Sequence, residues 1–251
     1  MKIFLSALII FLTHLQEGIT GFGGSVMALP FLNLTIGLKS AVQLLALFGW
    51  VMALYIVIRS SSHIDWHGFS VIARWAGLGL PAGLLLFDLL PAEYLCMLLG
   101  IFMIIVGING FVCRKITNNS YPGKKASIWM KILLFTGGIF QGAFGTGGPC
   151  IVIYTAQTMP DKSLFRVTLS LLWLAMNSCR IIFWTVKGNF WNTELIRNFF
   201  IILPFMAAGL ILGDFLHTRI SEQSFRSAVY ILLGISGVLM LVNNLSSLIS
   251  A

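Results

Sequence analysis

Leu15-Gln16-Glu17-Gly18-Ile19-Thr20-Gly21-Phe22-Gly23-Gly24-Ser25 and Phe140-Gln141-Gly142-Ala143-Phe144-Gly145-Thr146-Gly147-Gly148-Pro149 are the two stretches that decide how this chain is read. Each interrupts an apolar run with a cluster of glycines. Gly21, Gly23 and Gly24 superpose on Gly145, Gly147 and Gly148 at a constant offset of about 124 residues. In a chain that lives in a bilayer, paired Gly/Pro-interrupted segments in corresponding places of two halves point to the binding site of a transporter.

The surrounding sequence places both stretches in a membrane. Apolar residues make up 58% of the 251, charged residues only 10%, and mean hydropathy is +0.93. A water-soluble domain would carry about 25% charged residues. The expected class is therefore an all-α polytopic membrane protein. Runs near 41–58, 70–90, 94–113, 163–186, 195–216 and 225–245 approach or reach the roughly 20 residues that a crossing helix needs. The broken pairs, near 3–38 and 128–160, add shorter helical pieces. Met1–Leu12 starts like a signal peptide, with Lys2 before an apolar run, but lacks a small-x-small cleavage site and is expected to stay as the first helix. The chain reads as a single membrane domain, 1–251, with a first half 1–113, a linker 114–127 and a second half 128–251.

The net charge of +8 raises the question of nucleic acid, and its distribution answers it. Arg114, Lys115, Lys124, Lys125 and Lys131 lie in or beside the one polar linker, and basic residues in short loops mark the cytoplasmic face. The linker is expected inside, with Arg59 and Arg74, and the Asp88/Glu93 loop outside, in a multi-pass protein of the inner membrane. A basic groove interleaved with aromatics, which a nucleic-acid partner would need, is missing. Trp66, Tyr94 and Trp191, near span ends, read as interfacial anchors. Cys96, Cys113, Cys150 and Cys179 have no metal-type spacing and read as buried small hydrophobes, with no disulfide, metal or cofactor implied. Asp88 and Asp214 read as helix-end residues.

Two further matches extend the repeat. Pro81-Ala82-Gly83-Leu84-Leu85-Leu86-Phe87-Asp88 aligns with Ala207-Ala208-Gly209-Leu210-Ile211-Leu212-Gly213-Asp214, and Leu98-Leu99-Gly100-Ile101 with Leu232-Leu233-Gly234-Ile235. Each half then consists of a glycine-broken helix pair followed by three transmembrane helices. The pieces of the pairs, about 11 to 14 residues, would rise only ~17–21 Å against a ~30 Å core. If each pair is a re-entrant hairpin, each half has three crossings and the halves are inverted. If the pieces cross, the halves are parallel. Charge counting satisfies the positive-inside rule either way.

A helix that stops inside a bilayer leaves backbone groups without partners, which survive only when buried in protein or lining a polar cavity. Glycine permits positive φ and close approach of a ligand to the backbone. The next half-helix then presents free N–H groups and the positive end of its dipole, an anion site. Ser25 and Pro149 suit the N-cap and first turn of those half-helices. Two such ends, one from each half, could meet at one anion near the midplane.

The motifs Gly-Ile-Thr-Gly-Phe-Gly-Gly-Ser (18–25) and Gly-Ala-Phe-Gly-Thr-Gly-Gly-Pro (142–149), with the two-half layout and basic central linker, resemble the TauE/SafE sulfite exporter family over essentially the whole chain. The resemblance implies an integral membrane permease that exports sulfite, sulfoacetate or a related organosulfur anion, and the paired breaks themselves suggest alternating access to a central site.

The expected substrate-binding residues are Gln16, Thr20, Gly21, Gly23, Gly24 and Ser25 in the first break. In the second half they are Gln141, Gly145, Thr146, Gly147, Gly148, Asn177 and Arg180. Gln16, Gln141, Thr20 and Thr146 can hydrogen-bond oxyanion oxygens or satisfy the broken backbone. Arg180 would attract and pair the anion, or else snorkel to an interface. Asn177, with Gln43 on the first long span of the other half, is a cavity donor or an interhelical bond. Glu17, a carboxylate in an apolar segment, is the candidate for proton coupling, against a helix-capping role. No residue is expected to be catalytic. The partners expected are a small sulfur-containing anion and the lipid bilayer, and the sequence is compatible with a homodimer. The competing classes are a non-transporting subunit of a larger complex and an intramembrane enzyme. The latter would need a nucleophile–base pair or clustered metal ligands, and His14, His63, His67 and His217 do not supply them.

Overall fold

The structure, a computed structural model, describes residues 2–20, 23–60, 64–112, 128–159, 161–188, 190–216, 234–235, 237–238 and 240–242. Gly21, Phe22, His63, Cys113, the linker 114–127, His217 and most of the last expected span lie outside the described residues. Among those described, the regular elements are all α-helices. They are α1 (Lys2–Thr20), α2 (Gly24–Ile36), α3 (Leu38–Ser60), α4 (Trp66–Leu89), α5 (Ala92–Val112), α6 (Ile128–Phe144), α7 (Gly148–Thr158), α8 (Lys162–Val186) and α9 (Thr193–Leu216). Four stretches, Leu38–Arg59, Trp66–Leu89, Leu164–Val186 and Thr193–Leu216, are long and apolar enough to cross a membrane. The protein is membrane-embedded.

Both breaks fall where the glycines predict, between α1 and α2 and between α6 and α7. The first arms are longer than expected. α1 has 19 residues and α6 has 17, rising ~28 and ~26 Å. The second arms, α2 with 13 and α7 with 11, are short as expected. The difference arises because Gly18, Gly137, Gly138 and Gly142 do not end the helices. They lie inside them, at places where another backbone comes close.

The chain forms two compact units. The first comprises Met1–Ala41, Leu89–Asn118 and Ile201–Ala251, the second Val42–Asp88 and Asn119–Phe200. Each therefore draws helices from both sides of the linker. In the first unit, α1 and α2 fold back on each other as an antiparallel hairpin. Ser6 near the start of α1 shares a 2.9 Å hydrogen bond with Thr35 near the end of α2. The later part of α9 lies on α1 through Gly209 and Gly213, and a Cβ built at Gly18 would sit 2.9 Å from Gly213 Cα. In α5, Gly100 is met by Gly237 and Leu241.

In the second unit, α7 turns back along α6, so that a Cβ at Gly137 would sit 2.9 Å from Ile151 Cγ1. Gly79 and Gly83 of α4 lie against α6 at Phe135 and Ile139, and a Cβ at Gly142 would come within 3.0 Å of Gly83 Cα. Helices approach this closely in membranes through small residues, because no hydrophobic driving force separates lipid from side chain.

The contacts at Gly142 and at Gly18 are alike. Leu80 and Gly83 meet the α6 glycine Gly142 as Leu210 and Gly213 meet the α1 glycine Gly18. Gly79-Leu80-x-x-Gly83 and Gly209-Leu210-x-x-Gly213 thus make the same kind of contact, one helical turn from the sequence match of Gly83 with Gly209. Close backbone approach selects two glycines four apart on one helix face, whereas matching letters is blind to the face.

Two contacts within the second unit fix the direction of α4 against α8. At their starts, Asp65 N–H donates to Thr168 Oγ1 at 3.0 Å. At their ends, Lys187 Nζ donates to Asp88 Oδ2. The two helices run parallel. Over half of the apolar window in Leu38–Arg59 (56%) is buried within the protein, against 28% in Thr193–Leu216, so α9 turns most of its surface outward and α3 does not. Trp66, Tyr94 and Trp191 are exposed near helix ends, as interfacial anchors would be.

Candidate functional site

The second break is built from a short run of backbone and one buried cation. α6 ends at Phe144, and Gly145 takes φ +71°, a left-handed conformation that favours glycine. Its N–H donates to Gln141 O at 2.9 Å. Gly147 caps α7 with right-handed φ −64°, and Pro149 stands in the first turn, where its missing N–H costs no helical bond. The Gln141 side chain is buried and its Oε1 accepts from Gly147 N–H at 3.1 Å. Gln141 thus satisfies the broken backbone. A Cβ at Gly147 would overlap Gly137 O, whereas at Gly148 it would meet only Trp173 Cζ2, at 3.9 Å.

Arg180 closes this site from α8. It is 1% exposed. Its Nη1 donates to Asn177 Oδ1 at 2.9 Å and lies 2.6 Å from where a Cβ at Gly145 would be, so the glycine makes room for the guanidinium. Its Cζ lies 4.9 Å from the centre of the Trp184 ring, one turn along the same helix. The indole is held in turn by Phe87 and Phe190, with ring centres at 5.2 and 5.6 Å. Asn177 is buried, and its Nδ2 lies 2.9 Å from where a Cβ at Gly49 would be. Next to it, Ser178 accepts from Trp50 Nε1 at 2.9 Å. This fixes α3 against α8 beside the site.

Several buried donors at this place have no acceptor among the described residues: Arg180 Nε and Nη2, Thr146 Oγ1 and Trp184 Nε1. Nε–H and Nη2–H form one edge of the guanidinium, a fork of two parallel donors suited to two oxygens of one anion. No carboxylate among the described residues pairs with Arg180. A buried charge left in that state costs several kcal/mol, and an oxyanion at the fork would offset the cost.

The first break differs. Gly23, at φ +94°, caps α2 without a side-chain bond. Ser25 is therefore not the N-cap but the second residue of the helix. Gln16 is buried, and its Nε2 would lie 3.7 Å from a Cβ at Gly23. A Cβ at Gly24 would overlap Glu17 Oε2, so the carboxylate stands against the start of α2. Glu17 Oε2 is 3.8 Å from His14 Nε2. Gly21 and the Thr20 side chain lie outside the described residues.

The sequence reading missed two residues. His14 is the buried neighbour of Glu17, and i, i+3 spacing of two ionisable residues in an apolar helix was its signal. Trp184 follows Arg180 at i, i+4 and was passed over among the apolar residues of its span. The thiols are less uniform than expected. Cys96 is buried and accepts from Asn33 Nδ2 at 3.6 Å, Cys150 is half-buried and Cys179 is exposed. Asp88 is tied to Lys187 at a helix end.

No curated protein and no solved structure matches this chain. The family described as "Sulfite exporter TauE/SafE" matches residues 6–240, a span that includes both glycine breaks, Arg180 and every described crossing helix. The chain belongs to the sulfite exporter TauE/SafE family of membrane transporters.

Proposed function

We propose that this protein is a permease that exports sulfite or a closely related organosulfur anion, seated at the second break on Arg180, Thr146 and Trp184. The observation that carries the reading is the buried Arg180 fork with no carboxylate partner among the described residues. A small oxyanion supplies the paired oxygens and the charge that this edge requires. Asn177 orients the guanidinium, Gln141 holds the break open, and Gly145 lets the cation come up to the backbone. Gly147 and Gly148 begin the half-helix whose N-terminus favours negative charge. Gln16, Thr20, Gly21, Gly23, Gly24 and Ser25 of the first break are proposed as further contacts of the anion, with Glu17 as the proton-coupling group.

The proposed transport is alternating access between two homologous halves, 1–113 and 128–251. The hairpin form of each broken pair supports an odd number of crossings per half, three where the pairs are re-entrant, and hence inverted halves. The parallel run of α4 and α8 supports the same topology. With inverted halves both helices start inside and end outside, whereas parallel halves would oppose them. The linker 114–127 then lies in the cytoplasm and the protein in the inner membrane.

Flux of radiolabelled sulfite, sulfate, thiosulfate and a sulfonate into proteoliposomes holding only this protein tests the reading. Saturable sulfite or sulfonate flux, with sulfate at background, is the expected result. Folded protein that moves none of the four overturns it.

A further inference from the structure

At the spacing that superposes the two glycine clusters, His14 falls on Gly138 and Glu17 on Gln141. The first break therefore carries two ionisable side chains at positions where the second has none. They lie one turn apart on α1, with His14 Nε2 3.8 Å from Glu17 Oε2, the imidazole buried and the carboxylate 13% exposed. His14 Nδ1 is 2.9 Å from Ile10 O. A carbonyl only accepts, so Nδ1 carries the ring hydrogen, and in neutral imidazole Nε2 is then an acceptor. Two acceptors face one another at a separation beyond hydrogen-bond length. A single proton between them turns that face into N–H···O or N···H–O.

The same carboxylate occupies a helix end. Glu17 Oε2 stands where a Cβ on Gly24, the first residue of α2, would be. Negative charge is favoured there by the helix dipole, so the protein's own carboxylate takes the position that an external anion would take. Among the described residues, the neighbouring elements bring little else that titrates. α2 has no ionisable side chain. The later part of α9 brings Asp214, whose backbone N lies against Gly18 and whose side chain is exposed. On α1 itself the other ionisable group is Lys2, exposed at the far end.

The geometry points to His14 and Glu17 as one proton-binding site that gates the first break. Without the proton, Glu17 holds the start of α2 against outside anions. With one proton taken from water and shared between Nε2 and the carboxylate, the negative charge at that helix end is relieved. This deepens the transport reading above and rests on it in one respect: where sulfite is carried, a proton moves with it and returns to water on the opposite face.

The test has two arms on purified full-length protein in liposomes. In the first, pH-difference infrared spectra follow carboxyl and imidazole bands. The two bands are expected to change together in wild type. Glu17→Gln should move the imidazole midpoint, and His14→Gln the carboxyl midpoint, each by about tenfold in proton concentration. Independent titration, or midpoints that neither substitution moves, overturns the shared site. In the second arm, an entrapped pH dye reads protons moved per labelled sulfite. Glu17→Gln flux that carries no proton supports the coupling, and proton movement equal to wild type overturns it. Coupled bands in a wild type that moves no sulfite would sustain the proton site while sinking the transport reading.

Discussion

Replacing Arg180 by glutamine separates a ligand-binding arginine from a structural one, and the structure sets the size of each effect. The Nε–H/Nη2–H edge would supply two charge-assisted hydrogen bonds to the anion, worth about 1.5–3 kcal/mol each. Losing both removes about 3–6 kcal/mol, at least a hundredfold in affinity at roughly 1.4 kcal/mol per tenfold. Arg180→Lys keeps the charge but not the fork, and should weaken binding by about 10–100-fold. Stability moves the other way. In the absence of anion Arg180 is a buried charge without a carboxylate among the described residues, so Arg180→Gln should leave the melting temperature unchanged or raise it. The assay is thermal melting of purified protein across a sulfite titration. Wild type should gain stability with sulfite, about 2.7 kcal/mol at a hundred times Kd, and Arg180→Gln should gain none. Sulfite affinity in Arg180→Gln within about threefold of wild type would refute the seat, since that is far below the loss of even one charged hydrogen bond. A sulfite-free drop of more than about 4 °C, roughly 1 kcal/mol or more for a chain of this size, would make Arg180 a structural pin to Asn177 and Trp184.

Five other substitutions, two of them controls, test the surroundings of the site. Gly147→Ala should fail to accumulate or melt early, because its Cβ overlaps the Gly137 carbonyl, while Gly148→Ala should melt like wild type. Gln141→Leu leaves the buried Gly147 N–H without its acceptor and should cost about 1–3 kcal/mol in the same melting assay. Gly83→Val should cost about 1–3 kcal/mol or more by forcing α4 off α6, whereas Gly77→Ala on the same helix, with nothing within 4 Å, should be silent.

Composition was enough for the membrane assignment and the helical class, since an apolar stretch of some 20 residues has few other stable forms in water or lipid. The spans near 41–58, 70–90, 163–186 and 195–216 are helices close to those bounds. The glycine clusters located both breaks to within a residue or two. The lengths of α1 and α6 were misjudged because Gly18 and Gly142 look like breakers in sequence. In the fold they are contact points between backbones, which only a neighbour can reveal.

The site divides in the same way. Arg180, Asn177, Gln141 and Thr146 were legible because polar groups in an apolar helix are rare and costly. Sequence alone gave no means of telling that Gln141 serves the backbone, that Asn177 holds the guanidinium, or that Arg180 has an open edge, because each depends on which groups lie within about 3 Å. The superposed glycines made the two breaks look alike. Tertiary structure distinguished them, with Gly23 left-handed and Gly147 right-handed, a carboxylate against the start of α2 and a buried guanidinium at Gly145 in the turn before α7. What the sequence by itself determined is where the backbone must break and which solvent surrounds it, since both follow from local chemistry. Which partners fill the second break was decided only by packing, because Asn177, Arg180 and Trp184 come from α8 and their neighbours Gly49, Trp50 and Phe87 from α3 and α4, far along the chain.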